Sequence, residues 1–426
     1  MKNFWYFVYL YLTIYVPVIA GSARKICILL YLLAALIIIF RNQKISAKIF
    51  NQCKVIAFAI FCLVLYVVTN VFIFHADPMI LTATFSMTIV PFASVIALTT
   101  LFIAKKRTDF ISDFIKVAVI ASTISIILYL IPPLGKSILF LLAGDEGDSI
   151  RRFYDAGRGY GFAGSLFFGY SIVQAIAAVF AIKRKSKYKY LFVIMILISI
   201  ILNARIGLFL FIILLAIHYF TNSSIRQTIK SFIAIIIFVA IIIETGVYKE
   251  FQESLDWTLE GFYMVSDFLF NTNYTNGFGH FNGLAGSFLI WPQNIQEWVM
   301  GKGIYLLYGD KGYSSDVGLI LHLQWGGLIY LFLLLCPLLF LIKKGIQHKS
   351  WWYVTIILMT LLLGDWKGDL FTQSNFLFIA IILYLPLNPQ LHSRSATYIK
   401  RNGLLIRKIT IKSSRPFQCA YHPLTP

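Results

Sequence analysis

Four arginines in this sequence are placed where a guanidinium group could bind an anion. Arg151, Arg152 and Arg158 lie in one glycine-containing segment, and Arg205 lies between two long apolar runs. A guanidinium group binds phosphate oxygens through two parallel hydrogen bonds, and an ionised side chain between apolar helices usually serves a substrate or an ion path. These arginines therefore predict a binding site for an anionic ligand such as a diphosphate.

Each of these arginines also has a less specific interpretation. Arg205 could extend to the lipid headgroups, as cations near helix ends commonly do. The other three could form ion pairs within their own segment, because four acids lie close to them in the sequence: Asp145, Glu146, Asp148 and Asp155. The sequence leaves both alternatives open.

Two residues are candidates for a catalytic role. His280 lies in a segment rich in glycine and asparagine, and histidine titrates near neutral pH, which suits a general base that takes a proton from a hydroxyl group. Asp316 directly precedes a long apolar run. The alternatives are an ordinary surface histidine at 280 and a helix cap formed by Asp316 or its neighbour Ser315.

Two lysines are further candidates for binding an anionic substrate. Lys302 lies between two glycines, and Lys367 lies between Asp365 and Asp369 in a short polar segment after an apolar run. Pairing of Lys367 with these neighbouring acids is an equally good interpretation.

Several kinds of chemistry are not indicated. The sequence has no phosphate-binding Walker loop, no HExxH motif and no GxSxG motif, which argues against nucleotide-driven transport and zinc proteolysis. Its five cysteines form no CxxC pair, so neither a zinc site nor a disulfide framework is expected. We therefore expect no metal, nucleotide or other cofactor.

The elements that must position these residues are apolar helices. The chain has 426 residues, of which 59% are hydrophobic and 13% are charged, whereas soluble domains are nearer half apolar and a quarter charged. A spanning helix needs about 20 apolar residues. The sequence predicts an all-α polytopic membrane protein with about twelve spans: Phe4–Ala20, Ile26–Phe40, Val55–Phe74, Met79–Ala104, Phe114–Pro133, Phe162–Ile182, Tyr190–Leu202, Ile206–Phe220, Ser231–Ile243, Val317–Ile342, Trp351–Leu363 and Phe371–Leu387.

The distribution of charge predicts the orientation. With the N-terminus inside and the spans alternating, 26 of the 37 basic residues lie on the inner side, together with only two acids, Asp109 and Asp113. Basic residues mark cytoplasmic segments, so both termini are predicted to be cytoplasmic. The net charge of +19 comes from short basic bursts between apolar runs. A nucleic-acid partner, which calls for basic residues on one face, is therefore not expected.

The predicted domain organisation is simple. Residues 1–387 form a single transmembrane catalytic domain with two large outer loops, 134–161 and 244–316, and residues 388–426 form a basic cytoplasmic tail that we expect to be poorly ordered. Loops of this length in a compact protein are commonly functional. The second loop contains three tryptophans, which favours an ordered structure.

Short motifs along the chain resemble those of one family. Asn203-Ala204-Arg205-Ile206-Gly207 is similar to the Ser-Arg-x-Gly turn found mid-chain in O-antigen polymerases and ligases, and Arg158 and Gly169 have the Arg-x10-Gly spacing of the first large loop in some polymerases. The late loop-to-helix segment is represented by residues 299–304, 315–318 and 326–329. With its predicted topology, the chain resembles the O-antigen polymerase (Wzy-type) family of bacterial polytopic membrane glycosyltransferases. It departs from the pattern in its second loop, because residues 244–316 contain no arginine.

The resemblance implies a function and a location. Such a protein is expected in the bacterial inner membrane, where it transfers the growing glycan from undecaprenyl diphosphate to a lipid-linked oligosaccharide repeat unit at the periplasmic face. Its expected partners are membrane lipid and the undecaprenyl-diphosphate-linked oligosaccharide, together with a chain-length regulator and a flippase of the same pathway. Two alternatives stay open, an O-antigen ligase and a lipid-linked oligosaccharide flippase or transporter.

Overall fold

The computed structural model describes residues 4–17, 23–107, 109–143, 159–164, 168–184, 186–222, 289–305, 315, 317–371 and 376–384. The chain divides into two compact units, Met1–Leu387 and Asn388–Pro426, and all described residues belong to the first. Within the described residues the backbone forms helices, turns and bends and no strand. The all-α prediction is therefore confirmed.

Fourteen helices are found in the part of the chain that the structure describes. They are α1 Phe4–Tyr15, α2 Ala23–Arg41, α3 Gln43–Gln52, α4 Lys54–Ile73, α5 Pro78–Ala104, α6 Phe110–Leu130, α7 Pro132–Ala143, α8 Gly169–Lys183, α9 Lys189–Ile201, α10 Arg205–Asn222, α11 Ile295–Met300, α12 Gly318–Gln347, α13 Trp351–Lys367 and α14 Phe376–Tyr384.

Four of these helices, α4, α5, α6 and α12, are long and apolar enough to cross a membrane. A fifth crossing is possible if α2 and α3, which meet at a bend of 108°, are taken as one span. Four to five such helices indicate a membrane-embedded protein. Helices also occupy most of the other predicted spans, but these helices are shorter than the about 20 residues that a span needs. The number of twelve spans therefore stays a prediction. The predicted span Ser231–Ile243 and the tail 388–426 lie outside the described residues.

Two boundaries concern segments that carry candidate site residues, and one agrees with the prediction while the other differs. The apolar stretch from Tyr190 to Phe220 is broken at residues 202–204, between α9 and α10, as the prediction of two spans requires. The predicted outer loop 134–161 begins instead with helix α7. Pro132 and Pro133 start this helix, a position where proline needs no backbone N–H, and apolar residues follow at once.

Two largely buried helices, α5 and α8, are each surrounded by other helices. Helix α5 contacts α1, α2, α3, α4 and α14, and helix α8 contacts α6, α9, α10 and α13. Asp77 caps α5 by accepting a hydrogen bond from Met79 N at 2.8 Å. Around α8, buried polar pairs join neighbouring helices, among them Ser125 Oγ and Tyr170 Oη at 2.8 Å. Such interhelical hydrogen bonds hold helices together where lipid removes the hydrophobic driving force.

One end of the helix bundle, here called the basic end, gathers the C-termini of α5 and α8 and the N-terminus of α6. Arg107 Nε donates to Asp113 Oδ2 at 2.6 Å, and Arg184 forms an ion pair with Asp109. The hydrogen bond to Asp113 raises the pKa of Arg107 above its ordinary value. The two acids assigned to the inner side are thus both paired with arginines at this end.

The opposite end of the bundle, here called the loop end, is made of the segments 74–77, 159–164, 202–204, 301–303 and 368–371. Asp77 N donates to Gly303 O at 2.8 Å, and Gly159 N donates to Leu202 O at 3.1 Å. Backbone hydrogen bonds thus join segment 74–77 to segment 301–303 and segment 159–164 to segment 202–204. The loop end therefore gathers residues from at least four chain segments that the sequence analysis singled out.

Candidate functional site

The loop end contains a buried cluster of one imidazole and two carboxyl groups, here called the His-Asp-Asp cluster: His322, Asp365 and Asp369. Their candidate ligand atoms all lie within 4.8 Å of one another. His322 Nε2 is 3.5 Å from Asp369 Oδ1 and 3.9 Å from Asp365 Oδ1. The three residues are 0%, 8% and 1% exposed in the order His322, Asp365, Asp369. Ionisable groups are rarely buried to this degree without a specific role.

The helices bring these residues together from distant parts of the chain. His322 lies just after the first turn of α12, Asp365 lies in the last turn of α13, and Asp369 is the second residue after α13. Gly318 at the start of α12 permits this approach, because a Cβ at that position would lie 2.2 Å from Asp365 Oδ1. Only a glycine leaves room for the carboxyl group there.

Aromatic rings enclose the imidazole of His322. The ring centroids of Trp325, Phe371 and Tyr330 lie at 5.1, 5.5 and 5.8 Å from that of His322. Tyr330 is fixed by a hydrogen bond to Thr84 Oγ1 at 3.0 Å. Water is largely excluded by these rings, and electrostatic interactions are stronger in such surroundings than in water.

Several polar atoms of the cluster make no hydrogen bond. Neither ring nitrogen of His322 has a hydrogen-bond partner, and neither does Asp365 Oδ1. Asp369 Oδ1 accepts a hydrogen bond from Phe371 N at 3.1 Å. A buried polar atom without a partner is destabilising, so each such atom in a native structure calls for an explanation. The arrangement could hold a proton between the imidazole and a carboxylate, or a cation among all three groups.

Lys302 is bound through its backbone to the first part of the same helix, α12. Helix α12 is interrupted at Gly327, whose φ of 68° and ψ of −163° are not helical. The segment 299–303 packs against this interruption, and Lys302 N donates to Gln324 O at 2.9 Å. Tyr66 Oη also donates to Gly326 O at 2.8 Å. The first part of the interrupted helix thus carries His322, and its Gln324 binds the backbone of Lys302.

The side chain of Lys302 is engaged with a carboxylate. Lys302 Nζ lies 3.4 Å from Glu297 Oε2. Glu297 also accepts hydrogen bonds from Gln293 N at 2.8 Å and Asn294 Nδ2 at 3.0 Å. The hydrogen bond from Gln293 N and then the nearby Lys302 lower the pKa of Glu297. This ion pair is at the surface, so a ligand could replace Glu297 at little cost.

The turn before Arg205 is tied to the end of the first loop. Asn203 is fully buried, and its Nδ2 donates to Tyr160 O and Ser199 O, both at 2.8 Å. The neighbouring Leu202 O accepts from Gly159 N at 3.1 Å. Gly159 follows Arg158 directly in the chain. The structure thus joins the backbone next to Arg158 to the turn that leads into Arg205.

The predicted site residues differ in how far the structure describes them. Arg205 is the first residue of α10, and only its backbone is described. Lys367 ends α13, between the two acids of the His-Asp-Asp cluster in sequence, and is partly exposed. The other five lie outside the described residues: Arg151, Arg152, Arg158, His280 and Asp316.

His322 was not among the site residues predicted from the sequence, and Asp365 and Asp369 were predicted only as possible partners of Lys367. The signal for His322 was present, because it is an ionisable residue inside an apolar run, which is a reason to suspect function in a membrane protein. The proximity of the two aspartates to His322 had no such signal, since it arises from the packing of α12 against α13.

Comparisons with protein-family models, with curated proteins and with solved structures find no match to this chain.

Proposed function

We propose that this chain is a membrane glycosyltransferase of the O-antigen polymerase type. It transfers a growing glycan from undecaprenyl diphosphate to a lipid-linked oligosaccharide repeat unit at the periplasmic face of the bacterial inner membrane. A chain-length regulator and a flippase act with it in the same pathway. The transfer itself uses neither a nucleotide nor a metal ion. This proposal starts from the motif resemblance and is supported by the arrangement of the loop end.

The observation that carries the proposal is the junction between residues 159–160 and residues 202–203. Two backbone groups of the first loop bind the turn before α10, through the bonds Gly159 N to Leu202 O and Asn203 Nδ2 to Tyr160 O. Arg158 and Arg205 flank this junction in sequence. A diphosphate carries its charge on several oxygens, so two guanidinium groups supplied from neighbouring segments suit it.

The chemistry requires a leaving group, a nucleophile and a base. A hydroxyl oxygen of the acceptor sugar attacks the anomeric carbon of the donor, and the bond between that carbon and the diphosphate oxygen breaks. The hydroxyl proton passes to a base, for which His280 and Asp316 are the proposed candidates. Negative charge develops on the departing diphosphate, and Arg158 and Arg205 stabilise it, with Arg151, Arg152, Lys302 and Lys367 as further cations around the substrate.

Deletion of the gene tests this function against the two alternatives. We expect the deletion strain to display single repeat units on its surface instead of a ladder of polymer lengths on a gel, because the repeat unit is still made, flipped and ligated. Expression of the chain from a plasmid should restore the ladder. Loss of all repeat units from the surface with polymer retained on the lipid carrier would indicate a ligase. Accumulation of lipid-linked units inside the cell would indicate a flippase.

The proposed orientation is tested separately by reporter fusions. The four chain positions that should be cytoplasmic lie near the basic end. Contacts there join α8 to α13, with Lys183 Nζ 4.3 Å from the centroid of the Trp352 ring, and join α3 to α5, with Ser46 Oγ 3.0 Å from Thr100 Oγ1. Fusions at residues 45, 110, 186 and 346 should therefore give cytoplasmic signals, and fusions at residues 150 and 280 should give periplasmic signals. A cytoplasmic signal at residue 280 would contradict the proposed orientation and the location of the site.

A further inference from the structure

We propose that the His-Asp-Asp cluster binds one divalent transition-metal cation, Zn²⁺ or Mn²⁺, through His322 Nε2 and one carboxylate oxygen each of Asp365 and Asp369. The cation stabilises the loop end by clamping the first part of α12 to the end of α13. This site is separate from the glycosyl transfer proposed above, which needs no metal ion, and it does not rest on that proposal.

The distances between the ligand atoms favour a cation over a direct hydrogen bond. The 3.5 Å and 3.9 Å between His322 Nε2 and the two carboxylate oxygens are longer than a hydrogen bond from a ring N–H, which is about 2.7–3.2 Å. Tetrahedral ligands at about 2.0–2.1 Å from a zinc ion lie about 3.3–3.4 Å from one another. The two distances from His322 Nε2 exceed this separation by about 0.1–0.6 Å, and all three ligand atoms lie within 4.8 Å of one another.

The unpartnered atoms support the same conclusion independently of the distances. His322 is completely buried, and its Nε2, which points at both carboxyl groups, makes no hydrogen bond. Asp365 Oδ1 is likewise buried and without a hydrogen bond. Buried charges are normally paired or coordinate metal ions. A bound cation would satisfy these atoms and offset the repulsion between the two carboxylates.

The chemistry of the three groups selects the class of ion. One imidazole nitrogen with two carboxylate oxygens suits Zn²⁺ or Mn²⁺, whereas Ca²⁺ and Mg²⁺ prefer sites made of oxygen alone. Asp365 is held in place from two sides, because its carboxyl group accepts a backbone hydrogen bond from Leu370 and packs against Gly318. The groups are therefore positioned before the cation arrives.

The test is cation binding to the purified full-length protein in detergent, after treatment with a chelator. We expect titration calorimetry with Zn²⁺ or Mn²⁺ to give one saturable site, and saturating cation to raise the melting temperature by at least about 3 °C. Mg²⁺ at the same concentration should bind at least tenfold more weakly. The variants Asp365→Asn and His322→Gln should bind at least 100-fold more weakly and lose the shift in melting temperature.

Two further measurements keep the test decisive. The control variant Glu297→Gln removes a partly exposed carboxylate from the same end of the bundle and should bind the cation as the unmodified protein does. If the cluster variants fail to fold, electron spin-echo spectroscopy of Mn²⁺ bound to the unmodified protein should show coupling to one imidazole nitrogen. Absence of a saturable site, absence of that coupling, or unchanged binding in the folded cluster variants would overturn the proposal. None of these measurements uses a glycan substrate. A negative result would therefore overturn the cation site and leave the proposed polymerase function unaffected.

Discussion

Replacing Arg205 by alanine is expected to abolish the polymer ladder, and replacing Arg158 by alanine is expected to do the same. Both residues flank the junction between residues 159–160 and residues 202–203, and in the proposed reaction both bind the departing diphosphate. A charge-assisted hydrogen bond contributes about 1.5–3 kcal/mol. Loss of one such bond that forms only in the transition state lowers the rate roughly ten- to a hundredfold. An arginine that binds in the bidentate mode makes two such bonds.

Lysine at either position should leave partial activity and shorter chains. Lysine keeps the positive charge but lacks the planar fork that binds two phosphate oxygens at once. The measurement is the length distribution of the surface glycan in a deletion strain that carries each variant, with expression checked by immunoblotting. Arginine should give the full ladder, lysine should give shorter chains, and alanine should give single repeat units.

Arg184→Ala is the matched control for these variants. Arg184 is also an arginine at a helix end, but it lies at the basic end, where it is paired with Asp109. The pair is partly exposed and contributes little stability, so the Arg184→Ala variant should give a normal ladder. Normal ladder length from a well-expressed Arg205→Ala variant would mean that this arginine only anchors its helix at the membrane surface. The site would then have to be built from the loops alone.

The positions of the helices could be predicted well from the sequence, and their lengths could not. Apolar runs mark helices because only a helix satisfies its own backbone groups in lipid, and the break between α9 and α10 follows from the polar residues Asn203 and Arg205 inside one such run. Apolar residues alone do not mark where a helix stops within a run, although a proline does. Helix α1, for example, ends at Tyr15, two residues before Pro17, although the apolar run continues to Ala20.

The candidate site was only partly accessible from the sequence. The junction between residues 159–160 and residues 202–203 involves segments that the motifs had marked, although the sequence gives no reason for them to touch. The His-Asp-Asp cluster was inaccessible, since His322 and Asp365 are 43 positions apart and meet only because Gly318 lets α13 approach. Tertiary packing of this kind depends on side-chain volumes at both helices and has no local signature.

Substitution of Gly327 by alanine should be among the most destabilising single changes in the described part of the chain. Gly327 has a φ of 68° and a ψ of −163°, a conformation that residues with a side chain avoid at a cost of about 1–3 kcal/mol. An added Cβ would also lie 2.4 Å from the backbone carbon and oxygen of Val299. Overpacking of this kind adds about 1–3 kcal/mol. We therefore expect Gly327→Ala to lower the free energy of unfolding by about 2–6 kcal/mol.

The measurement is denaturant unfolding in detergent, followed by tryptophan fluorescence, since Trp325 lies in α12 two residues before Gly327 and Trp298 lies in α11, which packs against α12. Gly368→Ala is the matched control: its backbone is extended, with a φ of −174°, and an added Cβ would lie 3.3 Å from the nearest atoms of the Phe168 ring. That change should cost about 1 kcal/mol. Equal stability of the two variants would show that α12 can close its interruption and become a continuous helix. Segment 299–303 would then leave α12, and Lys302 would lose its backbone bond to Gln324.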